Sequence, residues 1–168
     1  METPPGPPPH GLGPDARLRH EVAALLRGRQ AHVDAAAALA GVPDEHVNRR
    51  AGGAHSLWEL VWHLRFTQAD ILAFTTRPDY TEPAWPDAYW PGGEAAPGAF
   101  AAERAAFLGD LDALVRLAHT ADLSAELPWA PGYTPLRELL LAADHNAYHV
   151  GEVVALRRRL GLWPPDGA

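Results

Sequence analysis

The chain has 168 residues, a length typical of one domain, and 47% of them are hydrophobic, which is enough for a buried core. It contains no cysteine, which excludes disulfides, thiolate metal sites and a cysteine nucleophile. Its 14 basic residues are all arginine, and the formal net charge of −7 argues against a nucleic-acid partner, because duplex binding needs a wide basic surface.

The beginning of the chain is rich in proline and glycine and has no apolar run. It resembles neither a signal peptide nor a membrane span, and we expect residues 1–14 to form a disordered arm. No later segment is long and apolar enough to cross a membrane, so the sequence predicts a cytoplasmic protein with no membrane partner. We expect one domain over residues 15–163 and a C-terminal tail over residues 164–168.

The first predicted helix covers residues 15–40. Alanine, leucine and arginine dominate this stretch, no proline interrupts it, and apolar residues recur at helical spacing. Gly41, followed by Pro43, is a typical helix end.

The second predicted helix begins at a capping box, in which Ser56 and Glu59 satisfy each other's free amides, and it ends before Pro78. Residues 77–98 then form a connection with five prolines and several aromatic residues. It is longer than usual between helices, and it could be a substrate lid or a plug over a site.

Two further helices are predicted, over residues 97–121 and 134–160. The second of these begins with Thr134 as the capping side chain and Pro135 at the first helical position. We find no strand pattern and no internal repeat. The sequence therefore predicts an all-α four-helix bundle, and the long early connections permit an up-down-down-up order.

The residues that indicate chemistry lie on the last predicted helix. His145 and His149 are four residues apart, so they share one helix face and can bind one divalent ion together. The same face continues through Leu141, Glu152 and Leu156, and its leucines suggest that it points into the bundle. Such pairs also occur without a metal, in which case the histidines would be core residues.

A pair of histidines does not complete a metal site, and His63 on the second predicted helix is the best third ligand because it lies near that helix's apolar face. Three neutral imidazoles would leave positions open for water or substrate, as at a catalytic ion. The alternative for His63 is a hydrogen-bonded core residue, with His20 or His32 as a reserve ligand. Glu152 could be a ligand or a solvated residue, but we favour a carboxylate that orients His149.

Together, these motifs resemble the DinB-like/YfiT-like superfamily. The resemblance rests on Ser56-x-x-Glu59-Leu60-x-x-His63-Leu64, His145-x-x-x-His149-x-Gly151-Glu152 and Arg158-Arg159-Leu160-Gly161. It implies an up-down-down-up bundle, often a homodimer, with a divalent nickel or zinc ion on His63, His145 and His149. Glu152 stands where the family commonly has glutamine, which puts any transferred substrate preference in doubt.

The resemblance favours a metal-dependent transferase that uses a low-molecular-weight thiol as cosubstrate. Such an ion would bind the thiol as its thiolate. Arg65 or Arg137 could then bind the carboxylates of the same thiol molecule. Two alternatives stay open: a metal-dependent hydrolase of amide or ester bonds, and a non-catalytic, stress-linked metal-binding protein. The sequence identifies no catalytic side chain.

Overall fold

The structure, a computed structural model, describes residues 10–28, 30–52 and 55–165. Within these ranges the chain forms five α-helices: α1 (Pro14–Arg27), α2 (Ala35–Ala38), α3 (Leu57–Thr76), α4 (Ala99–Thr120) and α5 (Pro135–Arg159). Two short 3-10 helices, Asp44–His46 and Asp87–Tyr89, lie in the connections. The described residues contain no strand, only an isolated bridge between Leu127 and Ala130. The all-α prediction is confirmed.

The directions of α3 and α4 follow from two contacts between them. Arg65 on α3 faces Glu103 on α4, and one turn further along both helices Gln68 contacts Phe107. Residue numbers rise together, so the two central helices run parallel. Parallel neighbours require a connection that crosses the length of the bundle, and residues 77–98 provide it.

The first and last long helices, α1 and α5, are antiparallel to the α3–α4 pair. Arg19, near the start of α1, donates to the carbonyls of Ala118 and Ala121 at the end of α4. His63 on α3 packs against His149 on α5, and further along α3 Gln68 contacts the earlier α5 residue Asn146, so these two helices are antiparallel. The order is therefore up-down-down-up, as predicted.

The prediction of one helix over residues 15–40 is wrong, because the chain breaks after Arg27. Gly28 has φ +75°, and its N–H donates to the carbonyl of Leu25 to close the last turn of α1. The Asp34 side chain then accepts from the amide of Ala37 and begins α2. A chain rich in alanine has high helix propensity, but these two local signals override it.

The predicted starts of α3 and α5 are confirmed. Ser56 and Glu59 form both bonds of the capping box, and the Thr134 hydroxyl accepts from the amide of Arg137. The connection over residues 77–98 is held against the bundle, since the indole N–H of Trp58 donates to the carbonyl of Gly93 at 2.8 Å.

Two apolar clusters fill the bundle. The upper cluster joins α2, the first half of α3 and the second half of α5, and its most buried members include Leu39, Leu57, Leu64, Phe107 and Val153. The lower cluster joins α1, the end of α3 and the first half of α5, with Val22, Leu26, Ile71, Leu114 and Leu139 among its members. Between the two clusters, the buried side chains of α3 and α5 are polar: Gln68 and Asn146.

The predicted arm, residues 1–14, and the predicted tail, residues 164–168, fall largely outside the described residues. Among the described helices, none combines the length and the hydrophobicity needed to cross a membrane.

Candidate metal centre

The three histidines singled out in the sequence meet in the structure. His63 comes from α3 and His145 and His149 from α5, and one ring nitrogen of each lies within 4.8 Å of those of the other two. The Nε2 atoms of His63 and His145 are 3.1 Å apart. His63 and His149 are buried, at 5% and 9% exposure, and His145 is half-buried. This cluster has the composition and spacing to hold a metal ion.

A backbone carbonyl sets the orientation of His63. Its Nδ1 lies 2.8 Å from the carbonyl oxygen of Tyr89, and because that oxygen can only accept, Nδ1 carries the hydrogen. Burial lowers the pKa of His63 below its ordinary value, and the bond to Tyr89 offsets part of this shift. A neutral His63 therefore presents the lone pair of Nε2 to His145 and His149.

The ring of His63 also packs against an aromatic side chain from the long connection. Trp90 stacks on it with ring centroids 4.1 Å apart and planes 5° from parallel, and His55 stacks on Trp90 at 3.9 Å. Tyr89 is anchored in turn, because its hydroxyl donates to Asp70 at 2.7 Å. Residues 89 and 90 of the connection therefore hold the His63 ring in place, one at its Nδ1 edge and the other against its face.

His149 is oriented by a carboxylate. Its Nδ1 donates to Glu152 Oε2 at 2.6 Å, which leaves Nε2 free to bind a cation. Burial lowers the pKa of His149, while the bond and the charge of Glu152 raise it. The geometry is that of a carboxylate acting on the ligand from outside, the role favoured for Glu152 in the sequence.

His145 completes the cluster as a neutral imidazole. Burial, with smaller contributions from His149 and His63, lowers its pKa to about 3. Nitrogens bound to one tetrahedral zinc ion at about 2.0–2.1 Å are about 3.3 Å apart, close to the 3.1 Å between the Nε2 atoms of His63 and His145. The residues therefore fit a divalent ion that prefers imidazole ligands.

The reserve ligands lie elsewhere. His20 lines a cavity between α1 and α4, and the exposed His32 contacts the carbonyl of its neighbour Val33. Across residues 10–28, 30–52 and 55–165, His63, His145 and His149 form the one group of three or more potential ligands.

Of the two arginines considered for a cosubstrate, Arg137 lies on α5, the helix of His145 and His149. It lies eight residues before His145, about 12 Å along the helix, and lines a cavity with Tyr80, Tyr133 and Leu141. Its guanidinium stacks 4.7 Å from the centre of the Tyr133 ring. Arg65 faces Glu103 on α4 instead. Leu141, one turn before His145 on α5, is 40% exposed.

Sequence reasoning missed the parts played by Tyr89, Trp90 and His55. The density of aromatic residues in the connection was a signal that it packs against the bundle. The sequence did not indicate which backbone carbonyl would accept from His63, because every residue carries the same backbone acceptor.

Comparison with known families gives one match. A family model described as the DinB superfamily matches residues 19–153, a stretch that includes all three histidines and Glu152. None of the curated proteins and none of the solved structures matches the chain.

Proposed function

The chain belongs to the DinB superfamily, and on that premise we propose that it binds one divalent ion, zinc or nickel, through His63, His145 and His149. The observation that carries this proposal is the convergence of three neutral imidazoles from two helices. Two of the three have their outward nitrogen bonded to an acceptor, Tyr89 or Glu152, so their inward nitrogens are ready to bind a cation.

We further propose that the protein is a transferase with a low-molecular-weight thiol as cosubstrate. A divalent ion in such a site supplies positive charge that lowers the pKa of a bound thiol. The chain's own residues favour this, because three imidazoles add no negative charge and Glu152 is engaged with His149. With no cysteine in the chain, the reacting sulfur has to come from a small molecule.

Metal content is the first test. Untagged protein, reconstituted with zinc or nickel and dialysed, should contain about one ion per chain by elemental mass spectrometry. His63→Ala, His145→Ala and His149→Ala should each lose it, whereas the matched control His119→Ala, on the exposed side of α4, should keep it. Wild-type protein that stays metal-free, or variants that all retain the ion, would contradict the proposal.

Activity is the second test. The loaded protein should catalyse attack by a small thiol, such as cysteine or glutathione, on an electrophilic substrate: the sulfur bonds to the substrate as the leaving group departs, and the thiol proton is released. Chelation or His149→Ala should abolish this reaction. Cleavage of an ester or amide without added thiol would replace the transferase with a hydrolase. Full metal loading with neither activity would favour the non-catalytic alternative.

A further inference from the structure

A chain of buried amides crosses the bundle beside the metal centre. Gln68 Nε2 on α3 donates to the carbonyl of Phe107 on α4 at 2.7 Å, and Asn146 Nδ2 on α5 donates to Gln68 Oε1 at 2.8 Å. Gln68 is 1% and Asn146 5% exposed. The chain ends next to a candidate ligand, because Asn146 follows His145 directly.

The direction of every bond in this chain is determined by its first acceptor. The Phe107 carbonyl can only accept, so the Gln68 nitrogen must face it and the Gln68 oxygen must face Asn146. The Asn146 nitrogen then faces Gln68, and Asn146 Oδ1 is left as an acceptor pointing elsewhere. Flipping either amide would place two donors or two acceptors against each other.

Two buried atoms remain without a hydrogen-bond partner among the described residues at this point: Asn146 Oδ1 and His145 Nδ1. The two atoms belong to consecutive residues of α5 and are shielded from solvent, so each needs a partner inside the protein. One atom is an acceptor, and the other becomes a donor in one of the two tautomers of His145. A buried acceptor with no donor is costly, so that tautomer is favoured.

The contact between His145 and His63 decides which tautomer binds a cation. Because His63 Nε2 carries a lone pair, His145 Nε2 at 3.1 Å either donates a hydrogen to it or shares a cation with it. In the first case His145 Nδ1 has no hydrogen, and both it and Asn146 Oδ1 are buried acceptors without a donor. In the second case Nδ1 carries the hydrogen and can donate it to Asn146.

We propose that Asn146, oriented by Gln68, is a positioning residue that favours the Nδ1-protonated tautomer of His145 and so frees its Nε2 for the metal. This inference rests on the metal site of the proposed function. It gives each of the three histidines an outward acceptor: a carbonyl at Tyr89, a carboxylate at Glu152 and an amide at Asn146.

The test measures zinc affinity by competition with a chromophoric chelator. Loss of an outward partner typically weakens metal binding 10- to 100-fold, and we expect this from Asn146→Leu. Gln68→Met should weaken binding less, since it acts only through Asn146, and should have no further effect in the Asn146→Leu background.

A second readout separates positioning from mere stability and does not need the ion. Nitrogen-15 NMR of the imidazoles in the metal-free protein should show a smaller Nδ1-protonated fraction of His145 in Asn146→Leu than in wild type. An unchanged fraction, or independent affinity losses in the two single variants, would overturn the inference and leave the metal site standing. Wild-type protein that binds no zinc would overturn the metal site itself, and the tautomer fraction would still decide the part played by Asn146.

Discussion

At the scale of single residues, the metal centre depends on what lies behind each imidazole. The Nδ1 hydrogen of His149 goes to a carboxylate, that of His63 to a carbonyl. A carboxylate partner makes an imidazole a stronger ligand than a neutral acceptor does. In the proposed site, Glu152 would therefore adjust the strength of metal binding through its bond to His149.

Replacement of Glu152 tests this adjustment. Glu152→Leu removes the acceptor from His149 and should weaken zinc binding about 10- to 100-fold. Glu152→Gln introduces the glutamine expected from the family resemblance. It keeps an acceptor oxygen for His149 and should weaken zinc binding less. Chelator competition measures both, and equal losses in the two variants would show that the charge of Glu152, and not its acceptor oxygen, sets the affinity.

A second residue-scale prediction concerns acid stability. Burial raises the pKa of Asp110 above its ordinary value of 3.8, with Arg65 opposing the shift. The folded protein thus holds this proton more tightly than the unfolded chain, so ionised Asp110 lowers the free energy of unfolding at neutral pH. That cost disappears as the pH falls through the raised pKa.

We therefore expect Asp110→Asn to raise the free energy of unfolding at pH 7, and the gain to shrink as the pH approaches 3.8. Urea titrations at several pH values measure it, with the exposed Asp112→Asn as control. A gain that is the same at every pH would mean that the side chain's charge is not its cause.

The histidines were predictable because regular spacing on a helix carries spatial information. The four-residue spacing of His145 and His149 places them on one helix face. The apolar neighbours of His63 indicate that it lies near the buried face of its helix. Tyr89 and Trp90 were not predictable as supports of His63, because they lie in a long connection whose path depends on packing. The link between Gln68 and Asn146 joins residues 78 positions apart and follows only from the packing of α3 against α5.

At the scale of elements, the break between α1 and α2 shows local backbone chemistry overriding propensity. Gly28 has a positive φ, and a Cβ there would lie 3.2 Å from the Cα of Asp34. The capping box of α3 and the Thr134-Pro135 start of α5 were legible in the sequence. The break was not, because the alanines that follow it are equally typical of a continuing helix.

Two glycine replacements test this interpretation with opposite signs. Gly28→Ala should lower the free energy of unfolding by about 1–3 kcal/mol, from backbone strain and the close approach to Asp34. Gly109→Ala, within α4 and with nothing within 4 Å of the added Cβ, should raise it by about 0.5–1 kcal/mol. Urea unfolding measures both, and a stabilising Gly28→Ala would show that α1 can continue past Arg27.

At the scale of the whole molecule, the proposed metal site joins α3 and α5, which are distant in sequence. A ligand that binds only the folded state stabilises it by mass action, by about 2.7 kcal/mol at a free concentration of 100 times Kd. We expect zinc or nickel to raise the thermal unfolding midpoint, and a chelator to reverse the change. His145→Ala should show no such rise, and an equal rise in that variant would indicate binding elsewhere.

The polar layer between the upper and lower clusters has a consequence for how the helices align. If α3 slid by one turn against α4 or α5, Gln68 would lose both partners and face apolar side chains, whereas leucines would still meet leucines. A buried amide in an otherwise apolar seam penalises every register but one, as a single asparagine does in a coiled coil. We expect Gln68→Leu to keep the helices and their main alignment but to add a minor population of shifted alignments, visible as duplicated amide resonances of low intensity. In this bundle, the apolar clusters supply cohesion and one glutamine supplies the register.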